Sequence, residues 1–326
     1  MGELRSSLLD WYRHHKRELP WRKDCDAYRV WVSEIMLQQT RVAAVLEHYR
    51  VFLEAFPTIE ALAEAPEERV LALWSGLGYY RRARMLHRAA QVVVAELGGV
   101  IPRRVESLRK LPGVGRYTAA AIASIAYGEL SAVVDGNVER VLSRMDGVPR
   151  TNVSAWTRAQ ELLDRHHPGD WNQAMMELGA TICTPQNPQC LVCPVQRWCL
   201  APGFETGKPR AARKRVQMTR MLTERNHRVY LVQRPADSAK MAGMWELPES
   251  TVSGSTDQQA KVDAEELCVV RHSITDTDYE VRVVRRGLKA IWAMGEIKGR
   301  WVAREEVFGL PLTGLTRKIF RKQGWL

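Results

Sequence analysis

Apolar residues recur at three- and four-residue spacing through most of the first 200 positions. Leu4 to Arg17 carries such a stripe through Leu8, Leu9, Trp11 and Tyr12, which predicts a first helix. Tyr28 to Gln38 predicts a second, and Thr40 is placed to cap a third that ends before Pro57. Thr58 opens another, Pro66 suits a first-turn position, and Gly76 and Gly78 break the chain after Trp74. The helical pattern resumes over Tyr79 to Leu97, Arg104 to Lys110, Arg116 to Tyr127, Asn137 to Met145, Ser154 to His166 and Trp171 to Ile182. After Pro202 the pattern changes. Residues 203–215 form a basic, proline-bearing linker. Val216 to Thr223, Val229 to Gln233, Tyr279 to Val284 and Ala290 to Met294 then read as strands. The expectation is a mainly α region over 1–202 and an α+β domain over 216–326.

Length agrees with two domains: 326 residues is about twice the usual domain size. With 45% hydrophobic and 26% charged residues, a wholly disordered or fibrous chain is excluded. A net charge of +11 points toward a polyanionic partner without saying which. No apolar run reaches the ~18 residues a membrane helix needs. The longest uncharged stretch, Leu178 to Gln196, contains three prolines. The first residues carry no secretory signal core, so a cytoplasmic protein, nucleoid-associated if bacterial, is expected, with no membrane partner.

Three segments carry chemistry. Leu111-Pro112-Gly113-Val114-Gly115 between two short helices reads as a helix–hairpin–helix, in which Gly113 and Gly115 keep side chains away and leave backbone N–H groups free to meet a phosphate. A plain turn is the alternative, but Arg103, Arg104, Arg109, Lys110 and Arg116 favour contact with a DNA backbone. Asp135, just before a helix, fits an N-cap as well as a catalytic acid. Cys183-x6-Cys190-x2-Cys193-x5-Cys199 gathers four thiols in one loop, and spacing alone leaves zinc and an iron–sulfur cluster open. Cys25 and Cys268 stand apart. Glu34 lies among Trp31, Val32, Ile35 and Met36, where desolvation would raise its pKa; a solvated helix face is the alternative.

Together these segments resemble the helix–hairpin–helix, iron–sulfur glycosylases of the endonuclease III and MutY type. The stretch Trp31 to Thr40 is similar to the adenine-pocket helix of the MutY-type adenine DNA glycosylases. Trp21-Arg22, Gly76 to Tyr80 and Trp171 to Met176 resemble that family too, and the similarity spans most of residues 4–202. The resemblance implies a six-helix barrel with a 4Fe–4S cluster on Cys183, Cys190, Cys193 and Cys199. It implies Glu34 as general acid to adenine N7 and then base to water, and Asp135 as the carboxylate facing the sugar. Tyr117 and Asn137 would orient Asp135 and the sugar. Trp21, Arg22, Leu37, Gln38, Gln39 and Thr40 would meet DNA or the flipped base, with Gln39 and Tyr79 intruding at the lesion; for Tyr79 plain aromatic packing is the alternative. Tyr117 stands where strand-nicking relatives carry a Schiff-base lysine, which implies little or no lyase activity.

Ala242 to Pro248 resembles the Gly-x-Trp-Glu-x-Pro strand of Nudix-like domains. The Arg/Glu-rich hydrolase box is missing, so lesion reading rather than nucleotide hydrolysis is expected. Where many relatives carry Phe-Ser-His, this chain has Ile274-Thr275-Asp276, in which Thr275 keeps the hydroxyl. The expected partner is double-stranded DNA with A opposite 8-oxoguanine or G, and the expected state is a monomer. A thymine or uracil mismatch glycosylase, or a DNA-binding iron–sulfur protein without catalysis, are the alternatives; Glu34 beside Asp135 and the C-terminal domain weigh against both.

Overall fold

The computed structural model describes residues 1–201, 212–238, 240–250, 265–274, 276–288 and 299–326, without the side chain of Asn152. Residues 203–211 of the linker expected at 203–215, the strand expected at 290–294 and Thr275 lie outside the described residues, while Lys214 and Arg215 already belong to the first strand of the second unit. The chain divides into two compact units, Met1–Glu64 with Met85–Pro209, and Ala65–Arg84 with Arg210–Leu326. Among the described residues no helix is long and apolar enough to cross a membrane.

The first unit is helical. It contains α1 (Gly2–His15), α2 (Ala27–Leu37), α3 (Val42–Ala55) and α4 (Ile59–Glu64), followed, after the second unit's α5 (Glu67–Trp74), by α6 (Arg81–Leu97) from Met85 on. Then come α7 (Val105–Leu108), α8 (Arg116–Tyr127), α9 (Gly136–Met145), α10 (Asn152–Leu162) and α11 (Pro168–Thr181). Helix α2 is apolar nearly all round, with Tyr28, Val30, Trp31, Val32, Ile35 and Met36 buried, so it lies inside the unit between α3 and α8. The alanines 119–121 and 123 of α8 are buried and small, which lets α2 and α11 approach it closely. Leu4, Leu8, Leu9 and Tyr12 of α1 join Val138, Val141 and Leu142 of α9, Trp171 and Leu178 of α11 and Trp156 of α10 in one core.

Thr40 does not cap α3. Gln39 turns the chain with φ +56°, Thr40 Oγ1 donates to Gln38 O at 3.2 Å, and Arg41 occupies the N-cap. Thr58 does open α4, accepting the Ala61 N–H at 3.3 Å. In the hairpin, Gly113 has φ +74°, and a Cβ there would lie 2.4 Å from Met85 Cβ, so glycine is required twice over.

Among the described residues the second unit holds two sheets. β1 (Lys214–Leu222) runs parallel to β6 (Thr277–Arg285), which pairs antiparallel with β5 (Glu265–Ile274). β2 (Glu224–Arg225), β3 (Arg228–Gln233) and β4 (Trp245–Glu246) form the other, with β7 (Gly299–Ala303) on β3. Helix α12 (Gly314–Lys322) sends Leu315, Ile319 and Phe320 into a core with Val229, Leu231, Val281, Val283 and Val302. Glu265 and Glu266 pair with Arg285 and Arg282 across the β5–β6 hairpin instead of clustering. On the free edge of β5, Lys318 and Lys322 donate to the carbonyls of Arg271 and Val269, which blunts that edge.

Candidate active site

Three elements of the first unit bring the expected acids together. Glu34 sits on α2, Tyr117 on the first turn of α8, and Asp135 at the N-cap of α9. All three line one cleft of about 750 Å³, with Asn137, Trp21, Arg22, Leu37, Gln38, Gln39 and Thr40. The cleft has ample room for a nucleoside.

Glu34 is 6% exposed. Burial pushes its carboxyl up to about 7; the Tyr117 hydrogen bond pulls down, Asp135 pushes up and Arg22 pulls down. Tyr117 Oη donates to Glu34 Oε2 at 2.7 Å and lies 3.4 Å from Met176 Sδ. Burial, with Glu34 and Asp135 nearby, holds the phenol well above its ordinary pKa, so Tyr117 remains a donor. With Oε2 so engaged, Oε1 is the oxygen left to carry the Glu34 proton.

Asp135 meets different surroundings. Its Oδ1 accepts the Val138 N–H at 2.8 Å, and its Oδ2 accepts Asn137 Nδ2 at 3.0 Å. It caps α9 and also faces the cleft. Donors on each oxygen suit a carboxylate. The loop leading to it is fixed from α11: Asn172 is buried, takes the Val133 N–H on Oδ1 at 3.0 Å, and donates to Ser131 O at 2.8 Å and Ser124 Oγ at 2.9 Å. Gly179 of α11 is needed for a close approach, because a Cβ there would lie 2.6 Å from Asn137 Cβ.

The cleft also contains charges that the sequence pattern did not mark. Glu177, 1% exposed, accepts Arg17 Nε and backbone N–H on Oε1 at 2.8 and 3.0 Å, and Arg17 Nη2 and Arg22 Nη2 on Oε2 at 2.8 and 2.9 Å. Burial alone would raise it, but the two arginines overcome that and hold Glu177 down to about 2. Arg140 joins the Asp135 network to the cysteine loop, donating to Asn137 Oδ1 at 3.0 Å, Gly179 O at 2.6 Å and Cys183 O at 2.9 Å. The available signal was Arg140 and Arg144, two arginines four positions apart beside the apolar Val138, Val141 and Leu142 of α9.

Cys183, Cys190, Cys193 and Cys199 lie on the loop after α11, and none of them forms a disulfide. Burial pushes Cys193 up to about 11, and Cys183, Cys199 and Cys190 each add to the rise, so the four sulfurs share one electrostatic environment. Four sulfurs gathered on one loop fit a cationic group bound by thiolates. Arg144, 2% exposed, donates to Cys183 Sγ at 3.3 Å and to the carbonyls of Thr184 and Pro185 at 2.7 and 3.1 Å. Among the described residues no three His, Cys, Asp or Glu side chains gather closely enough for a single metal ion. A tetrahedral zinc would draw its sulfurs to about 3.8 Å apart, whereas a cubane cluster spaces its thiolates more widely.

The hairpin ends at Gly115, the N-cap of α8, which no side chain caps. Tyr79 in the second unit is 48% exposed and has φ +48°. Thr275 lies outside the described residues; Ile274 pairs with Thr277 at the end of the β5–β6 hairpin.

Fold and site define a class. Residues 32–163 match the model of the HhH-GPD superfamily base excision DNA repair proteins, and residues 183–199 match the iron–sulfur binding domain of endonuclease III. The fold is the helix–hairpin–helix glycosylase fold with an added Nudix-like α+β domain, and its cofactor is a 4Fe–4S cluster. A solved thermostable thymine-DNA glycosylase aligns with TM-score 0.57 and 30% identity over 61% of this chain and 96% of its own. A non-covalent endonuclease III–DNA complex aligns with TM-score 0.53 and 23% identity over 61% and 94%, a likeness of fold alone. The adenine DNA glycosylase of Homo sapiens is 38% identical over 98% of this chain and 73% of its own length. That of Rattus norvegicus is 42% identical over 81% of this chain, and the match spans 63% of the rat protein. The chain belongs to the adenine DNA glycosylase family.

Proposed function

We propose that the chain is a monofunctional DNA glycosylase that excises adenine mispaired with 8-oxoguanine or G in double-stranded DNA, as a monomer. One observation carries this reading: a buried carboxyl poised near pH 7 faces the same cleft as a second carboxyl held by two donors. Adenine leaves deoxyribose slowly until its ring accepts a proton. The flipped base enters the cleft, and Glu34 protonates N7 from Oε1. Asp135, as carboxylate, faces C1′ and stabilises the positive charge developing on the sugar. Glu34, now ionised, takes a proton from the attacking water. Tyr117 holds Glu34 Oε2, and Asn137 holds Asp135. Arg17, Arg22 and Glu177 present fixed charges to the base.

Gly113 and Gly115 bring the hairpin backbone to a phosphate, while Gln39 and Tyr79 fill the gap at the lesion. Both of these adopt left-handed backbone, with φ +56° and +48°, a conformation unusual outside glycine and enriched at functional turns. Thr275 reads the damaged base through its hydroxyl. Cys183, Cys190, Cys193 and Cys199 would ligate the cluster, which when bound ties the loop to α9 and α11. Tyr117 cannot form an imine, so the strand stays intact until alkali cleaves the abasic site.

Single-turnover assays on duplexes carrying A:8-oxoguanine, A:G, T:G and U:G test the reading. Adenine release from the first two, with strand scission only after alkali, is expected. Base release confined to T:G or U:G would overturn it in favour of the thymine or uracil class.

A further inference from the structure

Tyr79 stands in the turn from Ser75 to Tyr80, between Gly78 with φ +69° and the start of α6. A tyrosine at φ +48° costs free energy, and such strain persists only where the surroundings over-determine it. They do so from two directions. Within the turn's own segment, Trp74 Nε1 donates to Gly78 O at 3.2 Å, and Arg82 Nη2 donates to Leu77 O and Gly78 O at 3.3 Å each. The Arg82 guanidinium also lies over the Tyr79 ring, 5.4 Å from its centroid. The second set of contacts comes from the C-terminal chain. The Leu312 carbonyl accepts both Ser75 Oγ at 2.9 Å and Tyr80 Oη at 3.2 Å, and Arg317 of α12 donates to the Ser75 carbonyl. Ser75 and Tyr80 are buried while the ring between them is exposed. A rigid base thus carries a projecting aromatic.

We propose that Leu312 and Arg317 form a clamp that holds the Tyr79 turn in its strained form, and that the clamp sets preference for 8-oxoguanine, with Arg317 as a positioning residue. The proposal rests on the reading of Tyr79 as the residue that enters the duplex at the lesion. The clamp pre-organises that ring, so the ordering cost is met on folding and not on DNA binding. Without it the turn relaxes, and insertion beside the lesion loses about tenfold, or ~1.4 kcal/mol.

The test compares wild type, Arg317→Met, Arg317→Lys, Tyr80→Phe, Tyr79→Ala and Tyr79→Ala/Arg317→Met. Each is assayed for single-turnover excision on A:8-oxoguanine and A:G, and for binding to a duplex with 2-aminopurine beside 8-oxoguanine. Arg317→Met is expected to cut the preference for A:8-oxoguanine about tenfold, and Tyr80→Phe less, while the A:G rate holds. Arg317→Lys should restore most of the preference, and Arg317→Met should add nothing in the Tyr79→Ala background. Equal losses on both duplexes, an unchanged preference, or full additivity with Tyr79→Ala would overturn the clamp. Tyr80→Phe, which removes one hydroxyl, keeps the test decisive if Arg317→Met fails to fold. A wild type that excises no adenine, yet perturbs 2-aminopurine in an Arg317-dependent way, would sink the glycosylase reading and leave the clamp standing.

Discussion

Replacing Tyr117 by Phe removes one hydrogen bond from the Glu34 carboxyl and leaves the ring in place. The phenol donates to Oε2 at 2.7 Å and, kept protonated by burial, favours the Glu34 carboxylate. Against it stand burial and Asp135, and the balance puts Glu34 at about 7. A hydrogen bond to a charged group contributes about 1.5–3 kcal/mol, and water entering the small gap recovers part of that. A net loss of roughly 1.4 kcal/mol raises the acid by about one unit. With Glu34 as the proposed general acid, excision should be full below its pKa and fall as pH rises through it. The wild-type alkaline limb should therefore fall near 7, and that of Tyr117→Phe near about 8. Single-turnover adenine release followed from about pH 5.5 to 9 reads both midpoints, which do not depend on how far the plateau drops. A midpoint that stays put, or moves toward acid, would refute the assignment of Tyr117 as donor to the general acid.

Three further outcomes are expected. Between 4.5 and about 7 the folded chain keeps a proton on Glu34 that the unfolded chain has released, so stability declines across that window as pH rises. Glu34→Gln removes the decline: urea unfolding should show it more stable than wild type by up to roughly 3 kcal/mol at pH 8, with the gap closing in acid. Glu177, held down to about 2, contributes stability that is present above 4.5 and lost as pH falls through 2. Glu177→Gln leaves two guanidinium groups unmatched and should cost about 2–4 kcal/mol at neutral pH, the lower figure reflecting the exposure of Arg17; a urea midpoint equal to wild type would contradict this. Cys199→Ser should lose the broad visible absorption and most of the bound iron, measured by spectrophotometry and iron assay.

The helices of the first unit were legible because their apolar stripes are long and punctuated by glycine and proline. Helix α8 begins and ends at the residues the pattern marked, Arg116 and Tyr127. Thr40 misled because a good capping residue in a strained turn gives way to the backbone geometry that Gln39 imposes. Strand β5 was missed because it faces solvent along much of its length, and its polar residues hide the alternation. Helix α12 did carry a signal, Thr313 followed by Leu315, Thr316, Ile319 and Phe320 at helical spacing, although no element was expected there.

In the cleft, Glu34, Tyr117 and Asp135 lie far apart in sequence, and only the resemblance to a family joined them before the fold did. Glu177 directly follows a stretch that was recognised, yet its partner Arg17 is 160 residues away. No local pattern encodes such a pair. Similarly, the packing of 65–84 with the C-terminal chain depends on contacts such as Ser75 Oγ to Leu312 O, which helical periodicity cannot show.

The proposed mechanism needs one acid in the cleft to be neutral while the other is ionised. Infrared difference spectroscopy at pH 6 reads this directly through the C=O stretch of a protonated carboxyl. Wild type should show one such band, absent in Glu34→Gln, retained in Asp135→Asn, and bleaching as pH rises through about 7. A band that disappears with Asp135→Asn instead, or the absence of any protonated carboxyl at pH 6, would contradict the mechanism.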